Sequence, residues 1–119
     1  LARYIVYSSW IRHSDNTIRP DAFVPPPNLE LSVTRRLGLT EMEIWRIGKM
    51  TTGQKPRHLC GRADVIAQHI VNQNLSIASQ PLEHNLNHAN IVGWPKEKEQ
   101  IKGIALQIAK AACFLAYSE

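Results

Sequence analysis

The sequence predicts an α+β fold: a short mixed or antiparallel sheet packed on one face against a capped middle helix and a long C-terminal helix. Three observations predict it. Short β-rich runs occupy the first part of the chain, a helix-capping signature begins at residue 40, and helical apolar spacing covers the last part. The chain has 119 residues, of which 44% are apolar and 20% charged, as in ordinary globular proteins. We therefore expect residues 1–119 to form a single domain.

Two strands are predicted before the middle helix. Residues 4–11 are rich in β-branched and aromatic side chains, which favours a buried first strand. Turn-forming residues and prolines then keep the chain irregular. Residues 29–37 carry apolar side chains at alternate positions, which predicts a half-exposed strand paired with the first. Its exposed side is expected to carry Ser32 and Thr34.

The middle helix has the clearest signature in the chain. Thr40 and Glu43 have the spacing of a capping box, in which each side chain accepts a hydrogen bond from the other residue's backbone amide. Leu39 and Ile44 have the spacing of a hydrophobic staple. The sequence therefore predicts a helix over residues 40–51.

The region after this helix allows two interpretations. A basic loop at residues 54–57 leads into a predicted strand at 58–62. Beyond it, either Asp64 caps a helix with i, i+4 and i+7 spacing, or the strand continues to Ile66. A further strand is predicted at residues 75–79, where apolar residues alternate before a proline.

The last predicted element is a helix over residues 96–117, opened by Pro95. Its core stripe consists of Ile101, Ile104, Ala105, Ile108, Ala112 and Leu115. Further apolar residues lie off the stripe, namely Leu106, Cys113, Phe114 and Tyr117. For this second apolar surface to be buried, either another element of the chain or a partner subunit must pack against it.

A histidine- and asparagine-rich stretch at residues 81–95 is predicted to carry the chain from the last strand into this helix, anchored by Ile91 and Trp94. His84 and His88 lie four residues apart within it. A zinc site needs three or four ligands in short pairs, and the other candidate ligands form no second pair. We therefore predict neither a metal nor a cofactor.

The basic residues are unevenly distributed. The formal net charge is +4, and all eight arginines lie between Arg3 and Arg62. Residues 1–62 carry ten Lys and Arg against five Asp and Glu, whereas residues 63–119 carry four against five. A face built from the first half would attract anions, and the arginine fork suits phosphate or carboxylate groups.

Cysteine usage and hydropathy bear on location. Cys60 and Cys113 lie among apolar or small residues without metal-binding or redox spacing, so we expect buried free thiols and a reducing, cytoplasmic setting, with a single disulfide between them as the alternative. No apolar run approaches the roughly 20 residues of a membrane span, so no membrane partner is expected.

Basic and polar residues on separate elements suggest an anion site. The candidate catalytic residues are His88 and His13, and the candidate ligand-binding residues are Arg12, Arg35, Arg62, Ser9, Ser32 and Asn90. In such a site one imidazole takes a proton, another donates one, and arginine stabilises charge developing on phosphorus. The alternative is that these residues are structural and form local caps and turns.

The function expected from this site is binding of a phosphate-bearing ligand, RNA or a nucleotide, with metal-independent phosphodiester chemistry as an extension. Whether the protein is an enzyme stays open, because no nucleophile elbow or phosphate-binding glycine loop is present. The alternatives are nucleic-acid binding without chemistry, and a protein-interaction adaptor or homodimer that uses the apolar C-terminal helix.

Overall fold

A six-stranded antiparallel sheet organises the computed structural model, which describes residues 1–52 and 58–118. In chain order the strands are β1 (Ala2–Ile5), β2 (Ile11–Arg12), β3 (Thr17–Ile18), β4 (Leu31–Thr34), β5 (Gly61–Asp64), β6 (Ser76–Ser79), β7 (His88–Val92) and β8 (Cys113–Ala116). β2 and β3 form a separate hairpin, and the other strands follow the order β6-β7-β4-β1-β5-β8. The predicted α+β class is confirmed, as is the pairing of the first strand with β4.

Helices pack against this sheet and fill its connections. They are α1 (Glu41–Thr52), α2 (Ala67–Val71) and α3 (Lys98–Ala111), with 3₁₀ helices at Ser8–Trp10 and Pro20–Phe23. The capping box of α1 is confirmed: the Glu43 amide donates to Thr40 Oγ1 over 3.1 Å, and the Thr40 amide donates to Glu43 Oε1 over 2.9 Å. The staple between Leu39 and Ile44 stays a prediction.

The main hydrophobic core lies between α3 and one face of the sheet. Its fully buried large side chains are Ile5, Phe23, Leu31, Ile70, Ile91 and Ile108. Removing these aliphatic and aromatic surfaces from water is the dominant favourable contribution to folding. The α3 face of the sheet is therefore apolar and fixed by packing.

α1 covers part of the opposite face, so the prediction that both helices share one face is wrong. Tyr4 and Ile5 are neighbours in β1 and point to opposite faces, and Ile5 belongs to the α3 core. Tyr4 instead donates its hydroxyl to the Ile44 carbonyl oxygen over 2.6 Å. Glycine at position 48 leaves room for the Tyr4 ring, because a Cβ atom there would lie 2.6 Å from Tyr4 Cε1.

The predicted helix over residues 96–117 is too long. α3 ends at Ala111, and Ala112 has extended backbone angles of φ −82° and ψ 149°. The residues that follow form β8, which pairs with β5 along its whole length. Cys113 and Phe114, which had no place on the helical stripe, are therefore strand residues.

Three other boundaries differ from the predictions. The first strand ends at Ile5, and β5 covers residues 61–64, so Asp64 ends a strand and Ile66 precedes α2. The stretch at 81–95 contains a complete strand, β7, as well as a turn.

Thr34 is 2% exposed, although its position was predicted to face solvent. The predicted basic loop at 54–57 lies outside the described residues.

Both cysteines are free thiols, as predicted, but only Cys60 is partly buried, and Cys113 is exposed on β8. Burial raises the pKa of the Cys60 thiol. In the part of the chain that the structure describes, no helix combines the length and apolar character of a membrane span.

Arg62 joins β5 to α1 through two ion pairs, one to the mostly buried Asp64 and one to Glu41, whose side chain is 67% exposed. Arg62 is 1% exposed, its Nε lies 3.1 Å from Asp64 Oδ1, and its Nη2 lies 2.8 Å from Glu41 Oε2. Its guanidinium carbon lies 4.7 Å from the Trp45 ring centroid. Since a buried charge without a partner costs several kcal/mol, these carboxylates and the ring are what allow Arg62 to be buried.

Replacing Arg62 should destabilise the fold. We expect Arg62→Ala to lower the free energy of unfolding by about 3 kcal/mol, because Asp64 would lose its closest cation while remaining mostly buried. Urea unfolding followed by circular dichroism measures this quantity. Arg12→Ala removes an exposed arginine and should change stability by less than about 0.5 kcal/mol. Equal losses in the two variants would contradict this role.

Candidate functional site

Ser32 and His88 form a hydrogen-bonded pair on the face of the sheet that α1 partly covers. The register of β4 with β7 pairs Ser32 with Asn90 and Thr34 with His88, which places these side chains on one face. Ser32 Oγ lies 2.7 Å from His88 Nε2. Ser32 is exposed, whereas His88 is 9% exposed. The hydroxyl is therefore open to a ligand, and the imidazole is held behind it.

The backbone of Gln80 sets the tautomer of the His88 ring. His88 Nδ1 lies 2.9 Å from the Gln80 carbonyl oxygen. A carbonyl oxygen only accepts hydrogen bonds, so Nδ1 carries the proton. In the neutral ring Nε2 is then an acceptor for the Ser32 hydroxyl. A hydroxyl, an imidazole acceptor and a carbonyl thus follow one another, which is the order that activation of a nucleophile requires.

Gln80 is held in turn by β7. Its amide donates to the His88 carbonyl oxygen over 2.9 Å, and Asn90 Nδ2 donates to Gln80 Oε1 over 2.7 Å. Asn90 is 7% exposed. The predicted ligand-binding residue Asn90 is therefore part of the site, where it fixes the residue that orients His88.

Asparagines also fix the turn between β6 and β7, which carries His84. Asn85 Nδ2 donates to Thr34 Oγ1 over 2.9 Å, and both residues are buried. Asn87 Nδ2 donates to the Arg35 carbonyl oxygen over 2.9 Å. For Asn85 and Asn87 the structural alternative is the better description, because their side chains close and dock a turn.

Arg3 brings positive charge to Ser32. It lies where β1 and β4 separate, since only Ala2 and Thr34 are paired between these strands. Its Nε donates to the Ala22 carbonyl oxygen over 2.8 Å, and its Nη1 donates to the Ser32 carbonyl oxygen over 3.1 Å. Within the described residues Nη2 has no hydrogen-bond partner. Desolvation by burial lowers the pKa of Arg3 to about 10, so the side chain stays charged near neutral pH.

A cavity of about 410 Å³ opens in front of the Ser32–His88 pair, and we call it the His88 cleft. Its polar and aromatic lining includes Arg3, Trp10, Ser32, His84 and His88. Met50 and Leu82 provide apolar wall. Among the described residues that line it there is no aspartate or glutamate. The cleft therefore favours an anion with an apolar or aromatic part.

A second cavity, of about 320 Å³, is also lined by Ser32, and we call it the Asn90 cavity. Arg3 and Ser32 line both cavities. Asn28, Glu30 and Asn90 contribute further polar groups to the second one. Arg3 and Ser32 therefore lie at the boundary that the two cavities share.

The predicted cluster of arginines is not seen. Arg62 is buried against α1, Arg35 donates to Ser79 Oγ over 2.8 Å, and Arg12 donates to Thr17 Oγ1 over 3.1 Å in the exposed β2–β3 hairpin. His13 contacts Ser8. The predicted residues outside both cavities are Arg12, Arg35, Arg62, His13 and Ser9. Of the predicted site, Ser32, His88 and Asn90 come together.

Two residues of the cleft were missed by the sequence analysis. Arg3 is the only charged residue between positions 1 and 11, and an isolated charge in a β-rich run was a usable signal. His84 was considered only as a metal ligand. In the described part of the chain no group of three or more His, Cys, Asp and Glu residues is placed to hold a metal ion.

The tautomer of His88 is directly measurable. We expect ¹⁵N NMR spectra near neutral pH to show a protonated Nδ1 and an unprotonated Nε2 for His88, because the Gln80 carbonyl oxygen accepts only from Nδ1. His69 is exposed and serves as the internal reference. A His88 ring protonated at Nε2 alone would contradict the proposed hydrogen-bond chain.

Comparison of the chain with protein-family models, with curated proteins and with solved structures finds no match. What can be said about function therefore comes from the chain's own geometry. The features that carry it are the Ser32–His88–Gln80 hydrogen bonds, the charge of Arg3 and the His88 cleft.

Proposed function

We propose that the protein binds a phosphate-bearing ligand of the nucleotide class in the His88 cleft and cleaves its phosphodiester without a metal ion. The observation that carries the proposal is the hydrogen-bond chain from Ser32 Oγ through His88 to the Gln80 carbonyl oxygen. It supplies an exposed hydroxyl beside a base whose tautomer suits proton transfer.

The lining of the cleft supports binding of a nucleotide. A volume of about 410 Å³ falls within the range of small-molecule sites. Arg3 Nη2 is available to donate to a phosphoryl oxygen, and guanidinium groups suit phosphate. Trp10 adds an aromatic wall beside the Arg3 guanidinium, which lies 5.3 Å from the centroid of its ring. The described lining residues include no carboxylate that would repel the phosphate.

In the first step Ser32 Oγ attacks phosphorus. The hydroxyl proton passes to His88 Nε2 as the Oγ–P bond forms. The P–O bond to the leaving alcohol breaks, and protonated His84 gives that oxygen a proton. Arg3 stabilises the negative charge that develops on the phosphoryl oxygens.

In the second step water releases the phosphoryl group. Neutral His84 takes a proton from the attacking water, and protonated His88 returns a proton to Ser32 Oγ as the Oγ–P bond breaks. Both histidines regain their starting states. The net reaction consumes one water and converts a phosphodiester into a phosphomonoester and an alcohol.

Turnover of bis(p-nitrophenyl) phosphate and of a dinucleotide, each in excess EDTA, tests this proposal. We expect Ser32→Ala and His88→Asn each to lower the rate by about 100-fold or more, because each removes a group required for proton transfer or attack. Arg3→Gln should weaken binding and slow the reaction, since it removes the charge next to phosphorus.

Matched controls come from residues that were predicted for the site but lie outside the cleft. Ser9→Ala and His13→Asn change exposed residues of the same two types outside the cleft, and both should retain the parent rate. Circular dichroism establishes that each variant is folded. The proposal fails if the parent protein turns over neither substrate, or if Ser32→Ala and Ser9→Ala behave alike.

A protein-interaction role is a second proposal, and one observation favours it. β8 is an edge strand of the sheet, and Cys113, Leu115 and Ala116 are exposed on it. Exposed edge strands accept further strands. We expect sedimentation velocity to show self-association that Leu115→Lys reduces, since a charge on an edge strand opposes pairing. A monomer at all concentrations contradicts the homodimer.

We also propose a cytoplasmic location. It is supported by the two free thiols, because secreted chains commonly oxidise their cysteines. Cys113 is exposed, so titration of thiols in protein isolated without reductant tests the point. Two reactive thiols per chain are expected, and a disulfide between chains would contradict the proposal.

A further inference from the structure

Three lysines rim an apolar groove next to the triple proline. Lys96, Lys98 and Lys102 line this cavity of about 600 Å³, which we call the lysine groove. Its other walls come from Val24, residues 25–27, Leu29 and Ile101. The lysines are exposed, and the one ion pair of Lys102 in the described structure, to Glu99 at 3.9 Å, is a weak surface contact. The groove therefore combines positive charge with apolar surface.

Shared lining residues connect the lysine groove to the proposed active site. Pro26 lines both the lysine groove and the Asn90 cavity. Arg3 and Ser32 line both the Asn90 cavity and the His88 cleft. The three cavities therefore follow one another along the surface, with the reactive pair at one end and the lysines at the other.

The charges along this path suit a polyanion. Arg3 is cationic at the proposed reaction centre, and the three lysines are cationic at the far end. Glu30 is the only acidic residue among the described residues that line the path. A ligand with regularly spaced phosphates and flat apolar groups matches both the cations and the proline-rich wall.

We infer that the ligand of this path is a single-stranded nucleic acid longer than a dinucleotide, running from the His88 cleft across the Asn90 cavity into the lysine groove. This inference rests on the proposed function for the identity of the reacting group. It adds the substrate class, since a mononucleotide would leave the lysine groove empty. The lysines contribute affinity and hold the strand, and Ser32 and His88 act on it.

Fluorescence anisotropy with labelled phosphorothioate strands, from two to about twelve nucleotides long, tests the inference, because such strands resist cleavage. Affinity should rise with length, whereas the triple variant K96Q/K98Q/K102Q should bind the long strands more weakly and the dinucleotide unchanged. For a long strand, the magnitude of the slope of log K against log salt concentration should be about 2 smaller in the triple variant than in the parent protein, at roughly 0.7 per lost lysine contact. E30Q should tighten binding of the long strands.

Lys110→Gln is the matched control, since Lys110 is an exposed lysine that lies on α3 with Lys98 and Lys102 and lines none of these cavities. It should leave binding unchanged. Length-independent affinity, or an equal effect of Lys110→Gln and Lys98→Gln, would overturn the inference. Equal competition by polyglutamate would also overturn it, because the groove would then suit an acidic peptide.

The outcomes separate this inference from the proposed chemistry. Ser32-dependent dinucleotide cleavage without length dependence would leave the chemistry standing and remove the strand path. Length- and lysine-dependent binding with no cleavage of any strand would support the path and remove the chemistry.

Discussion

The register between β4 and β7 is the constraint on which the site depends. Leu31 pairs with Ile91 on the face that packs against α3, and Thr34 pairs with His88 on the opposite face. A slip of one residue would exchange the two faces of a strand, placing polar side chains in the apolar core. Burial of Leu31 and Ile91 therefore holds Ser32 Oγ within 2.7 Å of His88 Nε2. The geometry of the polar pair is a consequence of apolar packing behind it.

The face that carries the site is stabilised differently from the core. Its buried groups include Thr34, Asn85 and Arg62, and each bonds to a specific polar partner, while Arg62 Nη1 is buried without a hydrogen-bond partner among the described residues. Such groups are costly when a partner is lost, so they fix one arrangement of β4, β5 and the turn before β7. Arg3 does not belong to this face, because it alternates with Tyr4 along β1, but the carbonyl oxygens of Ala22 and Ser32 hold it in the gap between β1 and β4 in a similar way. A polar, well-connected sheet face is a suitable base for a cleft that must remain rigid.

The elements that the sequence predicted correctly are those with local causes. The capping box at Thr40 and Glu43 needs contacts only within one turn, and both hydrogen bonds form. The strand at 75–79 needs only alternation and a following proline, and β6 covers Ser76–Ser79. β7 was missed because its asparagine and histidine suggested a turn, whereas β4 and β6 pair with it on both sides.

The sequence predicted only part of the candidate site, because the site depends on which strands are neighbours. Ser32, His88 and Asn90 come together because β4 and β7 are neighbours, which residue types alone do not reveal. Arg62 was assigned to a ligand, but Asp64 lies two residues away on the same face and Glu41 reaches it from α1. Arg3 was overlooked because its importance comes from the separation of β1 and β4, a tertiary feature.

The central claim is that His88 activates Ser32 as a nucleophile. Labelling with diisopropyl fluorophosphate followed by peptide mass spectrometry tests it most directly, since the reagent phosphorylates a serine oxygen with loss of fluoride. The account predicts one adduct, on Ser32, that His88→Asn prevents and His13→Asn does not. No adduct on Ser32, or an adduct equally formed without His88, would contradict it.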